Sequence, residues 1–254
     1  IFTFLVDVEG LSFPQAVEKL AEQAGVELRA LTRDEEKKIS GRKKLYSVME
    51  MANDFFMSNL LSDNRALGYL NERGINKKVI SEYKIGYAKD NFSSLHKYLL
   101  DKGILNEDIL LAGLIIKSEK KKNSYYDRYR DRIIFPITNT YGKIVGFGGR
   151  VINEDDKPKY MNSPETEIFH KGNLLYNYSN IKSPVKEIDN LVVVEGYMDA
   201  ISLCSEGFKN VVAPLGTAMT ERQLNLIWDL VDSPIVCFDG DKAGKKAAER
   251  VIEL

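Results

Sequence analysis

Along the first 116 residues the apolar positions recur at helical spacing. Ala16, Val17, Leu20 and Ala21 fall on one face of a helix that Ser12 can cap, that carries Pro14 in its first turn and that Gly25 ends. A charged stretch from Thr32 to Lys44 leads into a second long helical pattern through Tyr46, Met49, Phe55, Phe56 and Leu60. Shorter helices follow, punctuated by Gly74, Gly86 and Gly103, and Met49, Met51 and Met57 read as core filling. Lys120 to Asn123 reads as an exposed loop. At Tyr125 the period changes: Arg132 to Thr138 is β-rich, Asn139 to Gly142 supplies turn residues, and Lys143 to Phe147 resumes a strand. That is a hairpin, and Pro136 assigns its strand to an edge or a bulge.

From Leu191 the pattern changes again. Leu191 to Val194, Val211 to Ala213 and Ile235 to Phe238 are short, continuously apolar runs, each followed by a helical one: Tyr197 to Glu206, Thr220 to Leu230, and Lys242 onward. Strands of this kind alternating with helices argue for a parallel, Rossmann-like sheet covered on both faces. The fold class expected is therefore mixed, α+β followed by α/β. Residues 1–116 form a mainly helical part, 117–188 a basic β-containing region, and 189–254 a parallel-sheet subdomain.

Composition narrows the function. The 254 residues balance 36 basic against 37 acidic side chains, a net charge of −1, which excludes a uniformly basic nucleic-acid coat but not a local basic face. The longest apolar run, Ile109 to Ile116, falls far short of the roughly 20 residues needed to cross a bilayer. Cys204 and Cys237 lie in apolar surroundings and read as small buried hydrophobes rather than a disulfide framework, so a cytoplasmic, reduced setting is expected.

Two constellations carry chemistry. Glu195 follows the first strand of the parallel sheet, and Asp239 and Asp241 follow the third. In open α/β sheets the ligand crevice lies outside the carboxyl ends of the strands, so the three carboxylates should share one rim. Clustered carboxylates repel unless a proton or cation neutralises them, and all-oxygen ligation suits Mg²⁺ or Mn²⁺. The alternative is that they are helix N-caps and turn acids. Asp199, inside the following helix, is open between a site role and a first-turn dipole partner. Gly196 and Gly240 lie within these turns, where a missing Cβ permits close approach by a ligand.

The second constellation is basic. Residues 117–150 hold nine Lys and Arg against three acids, interleaved with Tyr125, Tyr126, Tyr129, Tyr141 and Phe147. Such a mixture can track a phosphate backbone and stack unpaired bases, and the alternation Arg128, Arg130, Arg132 places three guanidinium groups on one strand face. Gly146-Phe147-Gly148-Gly149-Arg150 is a weak anion-approach signal without P-loop spacing. His170 reads as structural, and His96 carries no signal.

The segments Leu191-Val-Val-Val-Glu-Gly-Tyr-Met-Asp199, Ala213-Pro-Leu-Gly-Thr217 and Cys237-Phe-Asp-Gly-Asp-Lys-Ala-Gly244 resemble the TOPRIM motifs of bacterial DnaG-type primases. Arg130 to Ile137, Gly146 to Arg150, Lys159-Tyr-Met-Asn-Ser-Pro-Glu-Thr166 and Phe169-His-Lys-Gly172 look like the same family's basic subdomain, and Glu9 to Pro14 like the segment that precedes its core. The resemblance implies a DNA-dependent RNA polymerase that synthesises short RNA primers on single-stranded DNA from ribonucleoside triphosphates. It implies that Glu195, Asp239 and Asp241 hold the catalytic divalent metal, Mg²⁺ or Mn²⁺, with a general-base role for Glu195 left open. It also implies that Arg73, Arg150, Lys159, Asn162 and Lys171 bind nucleotide or template phosphates. A bare Glu…Asp-x-Asp pattern fits TOPRIM nucleases too, which stay as the alternative. The chain begins at Ile1 in mid-pattern and stops at Leu254 within a helical pattern, so a longer parent is expected. In that parent, the family's zinc module, its later acidic motif and its replicative-helicase-binding domain would lie outside this segment. The expected setting is the cytoplasm, at the replication fork on the nucleoid, with no membrane partner.

Overall fold

The computed structural model describes residues 5, 13–26, 32–119, 124–181, 190–216 and 219–254. Ser12 and the Lys120–Asn123 loop lie outside the described residues. Two compact units are distinguished, Ile1–Gly41 and Arg42–Leu254. In the first, α1 (Phe13–Ala24) ends at Gly25, which takes the left-handed φ of 65° expected of a helix terminator. Helix α2 (Arg33–Leu61) begins in this unit and continues into the second. Its charged start was expected only as a lead-in. A reciprocal cap makes it helical: Thr32 N–H donates to Glu35 Oε2 (2.8 Å) and Glu35 N–H donates to Thr32 Oγ1 (3.3 Å).

In the second unit α2 buries Leu45, Val48, Met49, Ala52, Phe56 and Leu60. Helices α3 (Asn64–Glu72) and α4 (Lys77–Glu82) are started by Asp63 and Asn76, whose side chains accept backbone N–H groups of the first turn. Strand β1 (Gly86–Ala88), helices α5 (Ser94–Asp101) and α6 (Asn106–Leu111), and the antiparallel pair β2 (Ile115–Lys117) and β3 (Tyr125–Asp127) follow. The predicted hairpin is present as β4 (Arg132–Thr138) and β5 (Ile144–Val151), and β6 (Tyr160–Asn162) adds to it. These strands form an antiparallel sheet of order β1-β4-β5-β6. Pro136 therefore sits in an interior strand, yet its missing N–H costs no ladder bond on the β1 side, because β1 pairs only as far as Ile134. A register shift lies just beyond it, between Ile137 and Thr138.

Two expectations for this region are corrected. Arg128, Arg130 and Arg132 do not share a strand face, because β3 ends at Asp127 and Asp131 takes a φ of 45° before β4 begins. Each guanidinium is instead committed to a backbone carbonyl: Arg128 to Gly113, Arg130 to Asp127 and buried Arg132 to Pro158, all at 2.8 Å. The glycines of Gly146–Gly149 do not form an anion nest either. They lie in β5 where rings press on the backbone, and a Cβ at Gly148 would stand 2.7 Å from the Tyr197 ring.

The remaining elements are β7 (Leu175–Tyr176), β8 (Val192–Val194), α7 (Tyr197–Ser205), β9 (Val211–Pro214), α8 (Glu221–Trp228), β10 (Ile235–Cys237) and α9 (Lys242–Glu253). Strands β10, β8 and β9 are parallel, and β7 joins antiparallel at the far edge, giving the order β10-β8-β9-β7. Burial covers β8 and β9 on both faces: Val194, Val211 and Ala213 enter the main core, while Val193 and Val212 pack with Leu224 and Ile227. Strand β10 departs from the expected cover. Ile235 is 48% exposed, and Cys237 is exposed rather than buried, while Cys204 is half-buried.

Candidate active site

Parallel pairing in register, Val192 with Ile235 and Val194 with Cys237, brings the carboxyl ends of β8 and β10 level. Glu195 leaves the first of these strands and Asp239 and Asp241 leave the second, so the three predicted carboxylates reach one rim. Burial, then the adjacent Asp239 and Asp241 carboxylates, push the Glu195 carboxyl above its ordinary range. Helix α9 closes against the same place. Its Gly244 lies where a Cβ would overlap the Asp239 carbonyl and stand 2.7 Å from Glu195 Oε1. The glycine needed for close approach is thus Gly244, whereas Gly240 has open space around it.

Asp241 has the capping role offered as the alternative, since its Oδ1 accepts Ala243 N–H and Gly244 N–H, both at 2.8 Å. One carboxylate oxygen remains, so capping and ligation are compatible. Asp199 is a fourth acid of the site. Its Oδ2 accepts Gly196 N–H (3.1 Å), and its carboxyl is pushed up by burial and then by Asp239, against the opposing pull of that N–H and of Arg150. Its position in the first turn of α7 left a site role and a dipole role open, because the sheet pairing that carries it toward Asp239 is not local.

Among the described residues, no three His, Cys, Asp or Glu side chains are gathered closely enough to hold an ion by themselves. An all-oxygen set in mutual repulsion fits a hard divalent cation that keeps water or phosphate oxygens in part of its shell. The sign of the pH effect follows. A carboxyl raised in the fold loses stability as pH rises through its shifted range, because ionisation brings in the repulsion. A cation bound at the ionised rim would reverse this. Mg²⁺ is therefore expected to raise the melting temperature by an amount that grows as pH rises above the ordinary carboxylate range. Thermal denaturation at several pH values checks it, and an equal or absent shift across them would contradict it.

The predicted cationic residues divide. Arg150, paired across β5 and β6 with Tyr160, is 6% exposed, and its guanidinium lies 5.0 Å from the Tyr160 ring and 5.9 Å from that of Tyr69. Arg73 caps α3, lies 4.8 Å from the Tyr69 ring and approaches Glu154 at 3.6 Å. The two arginines therefore share one tyrosine. Asn162 lies on β6 opposite Gly148, and among the described residues neither its buried Oδ1 nor Arg150 Nε has a hydrogen-bond partner. Lys159 is exposed immediately before β6. The backbone of Lys171 is held by Glu165, whose Oε1 accepts its N–H (3.1 Å), and by Gln223, which donates to its carbonyl (3.0 Å). Tyr69 and Tyr160 escaped the sequence reading, since nothing local distinguishes them from other half-buried tyrosines.

The chain is similar to known proteins over its whole length. Residues 55–182 match the family model described as the DNA primase catalytic core, N-terminal domain, and residues 192–254 match a Toprim-like model. A DNA primase of Pseudomonas putida is 40% identical over 98% of this chain, and one of Clostridium acetobutylicum is 39% identical over all of it. The chain spans 38% and 42% of the lengths of those two relatives. Among solved structures, a DnaG primase catalytic domain bound to single-stranded DNA is 37% identical, with a TM-score of 0.75, covering 85% of this chain and 69% of that one. The zinc-binding and RNA polymerase domains of Aquifex aeolicus primase give 36% identity and a TM-score of 0.76, covering 99% of this chain and 60% of that one. With its acidic rim on the Toprim-like sheet and Arg150 on the preceding one, the chain belongs to the DnaG-type DNA primase catalytic core family.

Proposed function

We propose that this chain is the catalytic core of a DNA-dependent RNA polymerase, which starts short RNA primers on single-stranded DNA by nucleotidyl transfer from ribonucleoside triphosphates. The observation that carries the reading is the juxtaposition of opposite charges. Asp199, on 189–254, lies within electrostatic reach of both Asp239 and buried Arg150 on the basic β region 117–188. Glu195, Asp239 and Asp241 hold a divalent cation, Mg²⁺ or Mn²⁺. When bound, that ion supplies activation of a ribonucleotide 3′-hydroxyl and neutralisation of charge on the leaving pyrophosphate. Arg150 and Arg73 bind triphosphate oxygens, and their rigid shared tyrosine keeps both cations oriented before substrate arrives. Asn162 and exposed Lys159 extend the same anion-binding side. Lys171, on its separate turn, contacts template or the outer phosphates. Zinc and the replicative helicase belong to other modules of the parental protein.

The test uses that full-length protein with single-stranded DNA, Mg²⁺, four ribonucleoside triphosphates and no primer. Short, template-dependent RNA is the expected product. Labelled single strands incubated with the same protein and metal, without nucleotides, are expected to stay intact. Shortened strands and no RNA would replace the polymerase reading with a TOPRIM nuclease.

A further inference from the structure

The capping box at the start of α8 begins the helix with two acceptors. Thr220 Oγ1 accepts Gln223 N–H (3.2 Å), and Gln223 Oε1 accepts Thr220 N–H (3.0 Å). The donors of the same two side chains are left over, and all of them go to one turn elsewhere in the chain. The Thr220 hydroxyl donates to the Gly172 carbonyl (2.6 Å), and Gln223 Nε2 donates to the carbonyls of Lys171 (3.0 Å) and Leu174 (2.8 Å). A helix cap requires none of these three bonds, and glutamate at position 223 would serve the cap alone equally well. Gln223 is 0% exposed, so its amide is committed to these carbonyls and not to water. Packing follows the same contact, since a Cβ at Gly172 would stand 3.2 Å from Thr220 Cγ2.

The clamped turn is Lys171–Asn173, which leads into β7. With two residues, β7 is too short to fix that turn by itself, but its register locates it. Leu175 pairs with Pro214, the last residue of β9, so antiparallel β7 begins where parallel β9 ends. The turn therefore lies at the carboxyl end of the sheet, the end at which Glu195 and Asp239 leave β8 and β10. Met219, next to Thr220, lines one cavity with Glu195. Glu165 holds the turn as well, accepting Lys171 N–H at Oε1 and pairing with His170 Nδ1 at Oε2, both at 3.1 Å. The Lys171 backbone is thus fixed at its N–H and its C=O, while its ammonium enters no ion pair among the described residues.

We propose that Gln223 and Thr220 are positioning residues: the cap of α8 clamps the turn that carries Lys171 and so aims that ammonium at a phosphate on the acidic side of the sheet. The proposal rests on the polymerase reading above and deepens it. Neither side chain has an atom left for substrate, because every polar group of both is used in the cap or the clamp, so their contribution to binding passes through the lysine.

The test uses the full-length protein with Gln223→Glu, Lys171→Ala and their combination. Glutamate keeps the oxygen that caps α8 and, when ionised, loses both donations to the turn. Two phosphate probes are titrated: a labelled single-stranded DNA over a range of salt, and GTP. Lys171→Ala should weaken one of them about fivefold, and if that probe is DNA the salt slope should shrink by about 0.7. Gln223→Glu should weaken the same probe about threefold and raise its KM in primer synthesis, with kcat within roughly twofold. In the Lys171→Ala background the same change should add less than about 1.5-fold. Thr220→Val, a neutral change at a half-buried position, removes the bond to Gly172 and should show the same dependence on Lys171 at about twofold. It carries the test where Gln223→Glu does not fold, as melting temperatures report, and it separates the clamp from the added charge. Equal weakening by Thr220→Val with and without Lys171 overturns the proposal, as does a loss confined to kcat or no effect of Lys171→Ala on either probe. If the unsubstituted protein makes no RNA, the polymerase reading fails instead, while the dependence of phosphate binding on Lys171 is still read.

Discussion

Replacing Asp239 and Asp241 together by asparagine is expected to lower primer synthesis at least about 1,000-fold, with the fold intact. The two roles of these residues predict opposite outcomes, which makes the pair decisive. Asparagine caps helices as well as aspartate does, so the bonds from Asp241 to Ala243 N–H and Gly244 N–H survive the change. If capping were their whole function, the variant would keep its activity. What asparagine removes is charge, which adds to burial in raising Glu195 and Asp199 now. Relief of that repulsion should leave the melting temperature unchanged or slightly higher, and the pH-dependent gain from Mg²⁺ should disappear with the activity. Primer synthesis and thermal denaturation on one pair of samples check both halves. RNA from the variant at the parental rate would put the essential cation elsewhere in the protein.

The parallel sheet was legible because its information is local. Val192–Val194, Val211–Pro214 and Ile235–Cys237 are apolar runs closed by cap residues, and Thr220 with Gln223 announces α8 within four positions. The carboxylate rim followed from the same runs, because position after a strand is a sequence property once the strands are parallel. What stayed hidden depends on partners far along the chain. Strand β7 is two residues long and exists only because Leu175 and Tyr176 pair with Pro214 and Ala213. The glycine-rich strand looked like an anion loop because the rings that require those glycines arrive from Phe169 and Tyr197. The three alternating arginines looked like one face until Asp131, in a left-handed conformation, broke the alternation. Cys237 read as buried from its apolar neighbours, but burial depends on what covers β10, and sequence periodicity does not report that. The family resemblance reached Arg73, Arg150 and Asn162 by motif. It gave no reason why two arginines should stand on one tyrosine, which only the folded arrangement supplies.

Gly244→Ala is expected to reverse the usual rule for glycine in a helix. Inside α9, alanine has the better helix propensity by about 1 kcal/mol, so an exposed site would gain stability. Gly244 is instead the contact point between α9 and the rim. A Cβ there would overlap the Asp239 carbonyl and stand 2.7 Å from Glu195 Oε1, and a backbone carbonyl cannot rotate aside as a side-chain tip can. Either α9 lifts away or the β10 turn moves, and in both cases the distance between Glu195 and Asp239 changes. A displacement of about 1 Å among reacting groups is enough for roughly a 100-fold loss of rate, and overpacking of this kind costs about 1–3 kcal/mol of stability. The variant should therefore lose about 100-fold in primer synthesis and melt lower. Gly68→Ala is the matched comparison, because Gly68 lies within α3 with no atom in reach of an added Cβ. It should keep full activity and melt higher, by the propensity gain alone. Opposite signs for the same substitution in two helices would show that α9 is held against the carboxylates by contact. If both variants gained stability and kept activity, the close approach of α9 would have no part in the chemistry.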